Sequence, residues 1–253
     1  MKALSAVLGL YVIYAVLGIR FHTAFIYPFA DQPFEMAGFE AVTAGGAHLQ
    51  VSAPGQGTVL YFMGNAGALA YFEGPLAGHL AAGRGVVALE FPGGGGLPGA
   101  PSEAALKAQA LAAYDWARAE RPGPIVVHGF SMGTGLALHV AAEREVAAVV
   151  LDAPYLSMCR LMARQSALPA CWLPGIQDWD NVALAGQVTA PVLIQHGRRD
   201  GIVPQEDGLH LSALLEEAGV PVVFAGHDGA GHNDLTRAPG YPAALEAFLD
   251  DLD

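Results

Sequence analysis

From about residue 39 onward, short apolar runs alternate with stretches in which apolar side chains recur every three or four positions. The runs predict strands at 40–43, 48–51, 58–62, 86–91, 125–128, 146–151, 192–196 and 222–224. The later ones are continuous in Val, Ile and Leu, as strands buried on both faces are. The amphipathic stretches predict helices over 67–82, 103–120, 132–144, 206–218 and 240–251. Ser102 is a natural N-cap for the second of these, and Pro122 ends it. Such alternation implies a mostly parallel sheet covered by helices on both faces. It lapses once, over 155–188, where Met, Trp, Leu and Pro are frequent and no strand pattern appears. That segment is expected to form a small helical cap.

The chain ahead of this region has a different pattern. Residues 3–19 carry no charge and are bracketed by Lys2 and Arg20. As a helix they would reach roughly 26 Å, the short end of a bilayer span. Phe21, Phe25, Tyr27 and Phe29 follow, as an aromatic belt would. Residues 18–24 offer no small-residue cleavage site, which weighs against a signal peptide. A helix packed on the domain is the other rival. The expectation is therefore a single-pass membrane anchor over 1–24 and one domain over 25–253. Lys2 and the amino terminus together outweigh Arg20, which favours a domain on the non-cytoplasmic side.

Composition narrows the function classes. Hydrophobic residues make up 53% and charged residues 14%, enough apolar surface for a large core. The net charge of −12 opposes binding to phosphate backbones, so nucleic acid is not an expected partner. Cys159 and Cys171 read as two buried thiols, or as a bridge if the domain faces an oxidising compartment.

In an open parallel sheet, ligands bind beyond the carboxyl ends of the strands. There the sequence reads Gly129-Phe130-Ser131-Met132-Gly133, directly between a strand and a helix. Such a turn strains the serine and exposes its hydroxyl, while the glycines let strand and helix approach. Serine needs a base, and the base needs a carboxylate to orient it. Asp200 follows the strand ending at His196, and His232 lies in a glycine-rich loop after the last strand. The order Ser, Asp, His is the one this architecture uses. His227 is a competing base and Asp152 a competing acid. Met132 and Asn65 are the candidate backbone donors of an oxyanion hole, one after the nucleophile and one in the loop after the third strand. Phe130, Met158, Met162 and Trp172 are candidates for an apolar substrate pocket. The run Gly93 to Gly96 lacks the Gly-Lys-Ser/Thr ending of a phosphate loop and reads as a rim loop. His227, Asp228, His232 and Asp234 match no zinc signature, so neither metal nor cofactor is expected.

Taken together, these segments resemble the alpha/beta-hydrolase-domain-containing proteins that carry an N-terminal membrane anchor. The resemblance runs from about Phe25 to the C-terminus. It includes Met63-Gly64-Asn65-Ala66-Gly67, Pro101-Ser102-Glu103, Gly129-Phe130-Ser131-Met132-Gly133, Ala190-Pro191-Val192-Leu193-Ile194 and Gly231-His232-Asn233-Asp234-Leu235. It implies the α/β-hydrolase fold, a triad of Ser131, Asp200 and His232, and an oxyanion hole at Asn65 and Met132. It also implies a small-molecule acyl ester, thioester or lipid as substrate. The family usually has His where this chain has Met63, and an aromatic or Arg-containing loop where it has Gly93 to Gly96. Both differences bear on the rim of the site. A prolyl-oligopeptidase-like peptidase and a non-catalytic binding protein on the same fold are the rival readings.

Overall fold

The computed structural model describes residues 2–252. In chain order the helices are α1 (Lys2–Arg20), α2 (His22–Ile26), α3 (Glu73–Ala81), α4 (Glu103–Glu120), α5 (Gly133–Glu143), α6 (Met158–Ser166), α7 (Asn181–Ala185), α8 (Gln205–Glu217) and α9 (Tyr241–Asp250). The strands are β1 (Phe39–Ala44), β2 (Ala47–Ser52), β3 (Thr58–Phe62), β4 (Gly85–Glu90), β5 (Ile125–Phe130), β6 (Ala148–Asp152), β7 (Val192–Gly197) and β8 (Val222–His227). They form one sheet in the order β1-β2-β4-β3-β5-β6-β7-β8. The hairpin of β1 and β2 joins β4 in antiparallel fashion, and every later pairing is parallel.

Burial explains the pattern. β3, β4, β5, β6 and β7 are buried at every residue, so each carries a continuous apolar run, with the polar residues Glu90, His128, Asp152, Gln195 and His196 toward the carboxyl ends. β8 at the edge is only partly covered, and its apolar signal is accordingly weaker. α4, α5, α7 and α8 pack side by side in sequence, with α5 against β5 and β6. α3 packs on β4, α9 packs on β7 and β8, and Arg84 in the turn between α3 and β4 is tied to α9 by its ion pair with Glu246.

The cap region contains α6, a 3-10 turn at Ala170–Trp172 and α7. Cys159 and Cys171 are joined as a disulfide across its first turns. Tyr27 runs beneath the cap: its hydroxyl bonds to Gln177 and accepts from the Trp179 indole at 3.1 Å.

The amino-terminal region requires a correction. Among the described residues, no helix is long and apolar enough to cross a membrane. This overturns the expectation of a single-pass anchor and of a domain placed on one side of a membrane. Met1, and with it the amino-terminal charge used for orientation, lies outside the described residues. The sequence pattern misled because an apolar helix has no polar face to give its direction away. In the structure α1 leans on the cap. The Tyr14 hydroxyl donates to the Ser166 carbonyl at 2.8 Å and Tyr11 to that of Ala167 at 3.1 Å. A side chain on Gly18 would collide with Leu168, and the tyrosines and glycines interrupt the apolar stretch.

Candidate active site

Ser131 sits between β5 and α5 with φ of +50°, a left-handed conformation that costs a non-glycine residue on the order of 1–3 kcal/mol. The flanking glycines are needed for space. A side chain on Gly129 would collide with the backbone of Gly133, and one on Gly133 with the carbonyl of Phe62. The pentapeptide thus serves a close approach of β3, β5 and α5. Two bonds fix the turn: Ser131 N–H donates to the Asp152 carbonyl, and Thr134 N–H to the Ser131 carbonyl.

His232 Nε2 is 2.9 Å from Ser131 Oγ, and His232 Nδ1 is 2.6 Å from Asp200 Oδ2. Because a carboxylate only accepts, Nδ1 carries the proton and Nε2 is left to accept from the serine hydroxyl. Both Ser131 and His232 are 7% exposed, so the contact is nearly free of water yet reachable. The loops carrying the pair are locked together, Arg199 N–H donating to the Ala230 carbonyl at 2.9 Å. Asp234 Oδ1 accepts from Gly231 N–H at 2.6 Å and shapes the turn that presents His232.

Asp200 Oδ1 accepts from the amides of Ile202 and Val203, both at 2.8 Å. Burial pushes its carboxyl up. The hydrogen bonds from His196 and His232, the charge of His232 and the Val203 amide outweigh that and hold it well below the usual carboxylate range. His196 was not expected to take part. Its Nε2–H donates to the Val203 carbonyl at 2.9 Å and lies 3.5 Å from Asp200 Oδ2. The spacing of four residues between His196 and Asp200 was the available signal.

Asn65 and Met132 come from adjacent segments. The carbonyls of Phe62 and Met63 border Gly133, and a side chain on Gly64 would crowd the Phe130 ring. Among the hydrogen bonds of the described residues, neither the Asn65 nor the Met132 backbone amide donates. The Phe130 ring lies 5.2 Å from that of His232 and 5.5 Å from that of Phe72. Met158 is buried in the cap. Met162 lines a cavity of about 150 Å³ with Tyr14, Phe21 and Leu168, between α1 and α6. Trp172 is 90% exposed on the cap surface. The structure therefore gathers Ser131, His232, Asp200 and Phe130, but turns Met162 and Trp172 elsewhere.

The two competitors have other partners. His227 Nε2 lies 2.9 Å from Gln195 Oε1, and burial lowers its pKa. Asp152 is fully buried and meets His128 and Tyr241.

The profile of the dienelactone hydrolase family matches residues 99–247. Among curated proteins, the alpha/beta hydrolase domain-containing protein 17B of Homo sapiens is 31% identical over 167 residues, 65% of this chain and 56% of that protein. An uncharacterised protein of Mycobacterium tuberculosis is 34% identical over 159 residues, 60% of this chain and 54% of its own length. The chain thus spans about half the length of the curated relatives it matches. Among solved structures, the Pyrococcus furiosus esterase Pf2001 superposes with a TM-score of 0.69 at 18% identity, over 89% of this chain and 97% of that one. The propionate-bound esterase Est2 of Thermogutta terrifontis superposes with a TM-score of 0.64 at 21% identity, over 87% and 95%.

Proposed function

The chain belongs to the dienelactone hydrolase family and has the α/β-hydrolase fold, and from that premise we propose that it is a serine hydrolase of carboxylic esters or thioesters. The observation that carries this reading is the 2.9 Å contact of Ser131 Oγ with His232 Nε2, backed by the 2.6 Å contact of His232 with Asp200.

In this reading Ser131 Oγ attacks the acyl carbonyl carbon while His232 Nε2 takes the hydroxyl proton. Asp200 keeps the imidazole in the tautomer that accepts and stabilises the imidazolium that forms. The developing oxyanion takes hydrogen bonds from the Asn65 and Met132 amides, which have no other partner among the described residues. The bond from the acyl carbon to the leaving oxygen or sulfur breaks, and His232 returns the proton to that atom. The acyl group stays on Ser131 until a water, deprotonated by the same nitrogen, releases the acid. The acyl group lies against Phe130, whose ring packs on His232, and Met158 contributes to the cap above it. The esterase neighbours support an ester as substrate, and the apolar surroundings support an acyl chain over a charged group.

A fluorophosphonate probe tests the nucleophile. Wild-type protein should label, and Ser131→Ala and His232→Ala should not. Folded wild-type protein that stays unlabelled defeats the proposal. Acetyl, butyryl and decanoyl p-nitrophenyl esters then report the acyl group; turnover confined to acetyl would rule out a lipid-like chain.

A further inference from the structure

Behind the nucleophile turn, on the α3 and α9 side of the sheet, lies a row of buried polar side chains that the proposed reaction does not use. Arg84 Nε–H donates to His79 Nδ1 at 3.2 Å, and His79 Nε2 lies 2.9 Å from His128 Nδ1. His128 Nε2 lies 2.8 Å from Asp152 Oδ2, which also accepts from the Tyr241 hydroxyl at 2.5 Å. His79, His128 and Asp152 are 0% exposed.

The donors in this row can be assigned from its two ends. Arg84 can only donate, so His79 Nδ1 accepts and its Nε2 carries the proton. His128 Nδ1 then accepts, which leaves its Nε2–H to donate to Asp152. Every link is satisfied with both imidazoles neutral and each in one tautomer. Burial together with the neighbouring His128 and Arg84 holds the His79 pKa well below its ordinary value, in agreement. Outward, the row ends at the Arg84–Glu246 pair, beside a cavity of about 600 Å³ at the opposite end of the strands.

Inward, the row ends at a backbone group that matters. The Asp152 carbonyl accepts the Ser131 N–H at 2.8 Å. The next residue, Ala153, has φ of +50° and donates its N–H to the Gln195 carbonyl at 2.8 Å. Asp152 therefore stands between two strained residues and holds one of them directly. A strained turn persists only where its surroundings over-determine it. Apolar side chains would fill this layer at lower cost, since Asp152 Oδ1 and Gln195 Nε2 find no partner among the described residues.

We infer that Asp152, clamped by His128 and Tyr241, is a positioning residue that sets the backbone of the Ser131 turn. The inference rests on Ser131 being the nucleophile. It assigns Asp152 no proton transfer; its side chain fixes its own carbonyl, and the carbonyl fixes the serine amide.

The test follows the fluorophosphonate labelling rate, the kinetics on a p-nitrophenyl ester and the melting temperature of the full chain. Asp152→Ala should label about tenfold more slowly and lose kcat by a similar factor, with KM within about twofold, as expected for a misplaced nucleophile. Asp152→Asn keeps an acceptor oxygen for both partners and should stay within about threefold of wild type. Tyr241→Phe removes one donor alone and should slow labelling about threefold, which decides the matter if Asp152→Ala does not fold. A fall in melting temperature with labelling and kcat unchanged in these variants means a structural role only and overturns the inference. Equal slowing in the Ala and Asn variants overturns it as well. An unlabelled wild-type protein would instead be the failure of the serine-hydrolase reading, and is told apart on that ground.

Discussion

The ring of Phe29 occupies the space beside the α-carbon of Gly67 that a side chain there would need. Phe29 belongs to the segment between α2 and β1, and Gly67 closes the loop that carries Asn65. Two backbone bonds extend the contact: Ala30 N–H donates to the Ala66 carbonyl and Gly95 N–H to that of Ala30, both at 2.8 Å. One strap of chain thus joins the Asn65 loop to the Gly93–Gly96 loop. Gly67 also has φ of +68°. Gly67→Ala should therefore destabilise the protein by about 1–3 kcal/mol and reduce kcat more than it raises KM. Thermal unfolding and ester kinetics check this; a variant with wild-type kcat would mean that the strap does not hold the loop.

The depressed carboxyl of Asp200 makes a pH prediction. A group whose folded pKa lies below its unfolded value, about 3.9 for Asp, stabilises the fold above that value. The contribution is lost as pH falls from there through the folded value. Asp178 and Asp207, both pushed up mainly by burial, work in the opposite sense. The comparison with Asp200→Asn isolates the one group. The melting-temperature gap between wild type and variant should be full at pH 6 and shrink below about pH 4. A gap that widens there contradicts the assignment.

Reduction should loosen the cap. The Cys159–Cys171 bridge spans 12 residues of sequence, and a loop of that size is worth about 3 kcal/mol in the chain-entropy account. Cys171 is exposed, so a mild reductant can reach the bond. Melting temperatures with and without reductant, and for Cys171→Ser, should show a loss of this order. No change in either would place the bridge outside the cooperative fold.

The docking of α1 on the cap is testable through its two hydroxyls. Tyr11→Phe with Tyr14→Phe removes both bonds while keeping the rings. Since both tyrosines are partly exposed, the loss should be under about 1 kcal/mol each, with kcat unchanged. A large loss of activity would mean that α1 shapes the site as well as the cap.

The sequence speaks clearly where one residue type answers a local need. Ser102 accepts from Ala105 N–H and starts α4 where expected, and α4 ends before Pro122. The Gly129 to Gly133 turn is equally local. By contrast, the helix expected over 67–82 begins as a 3-10 turn at Leu69–Phe72, with α3 starting only at Glu73 ahead of Pro75. β8 runs on to His227 because Gly226 pairs with His196, a partner far away in sequence that local pattern does not reveal. The His79, His128 and Asp152 row is hidden for the same reason. Its members lie 49 and 24 residues apart and look, one by one, like ordinary buried histidines and a strand-end acid.

The segment from Tyr27 to Ala30 also has a consequence for the order of events during synthesis. It is made before β1, yet its partners are Ala66, Gly95, Gln177 and Trp179. A growing chain therefore carries this stretch, with its exposed aromatic rings, through most of translation before its final resting place exists. Its contacts with Ala66 and Gly95 can form once those residues are made, but Tyr27 finds Gln177 and Trp179 only after the cap has emerged, so the segment made ahead of the sheet is among the last to be fully seated.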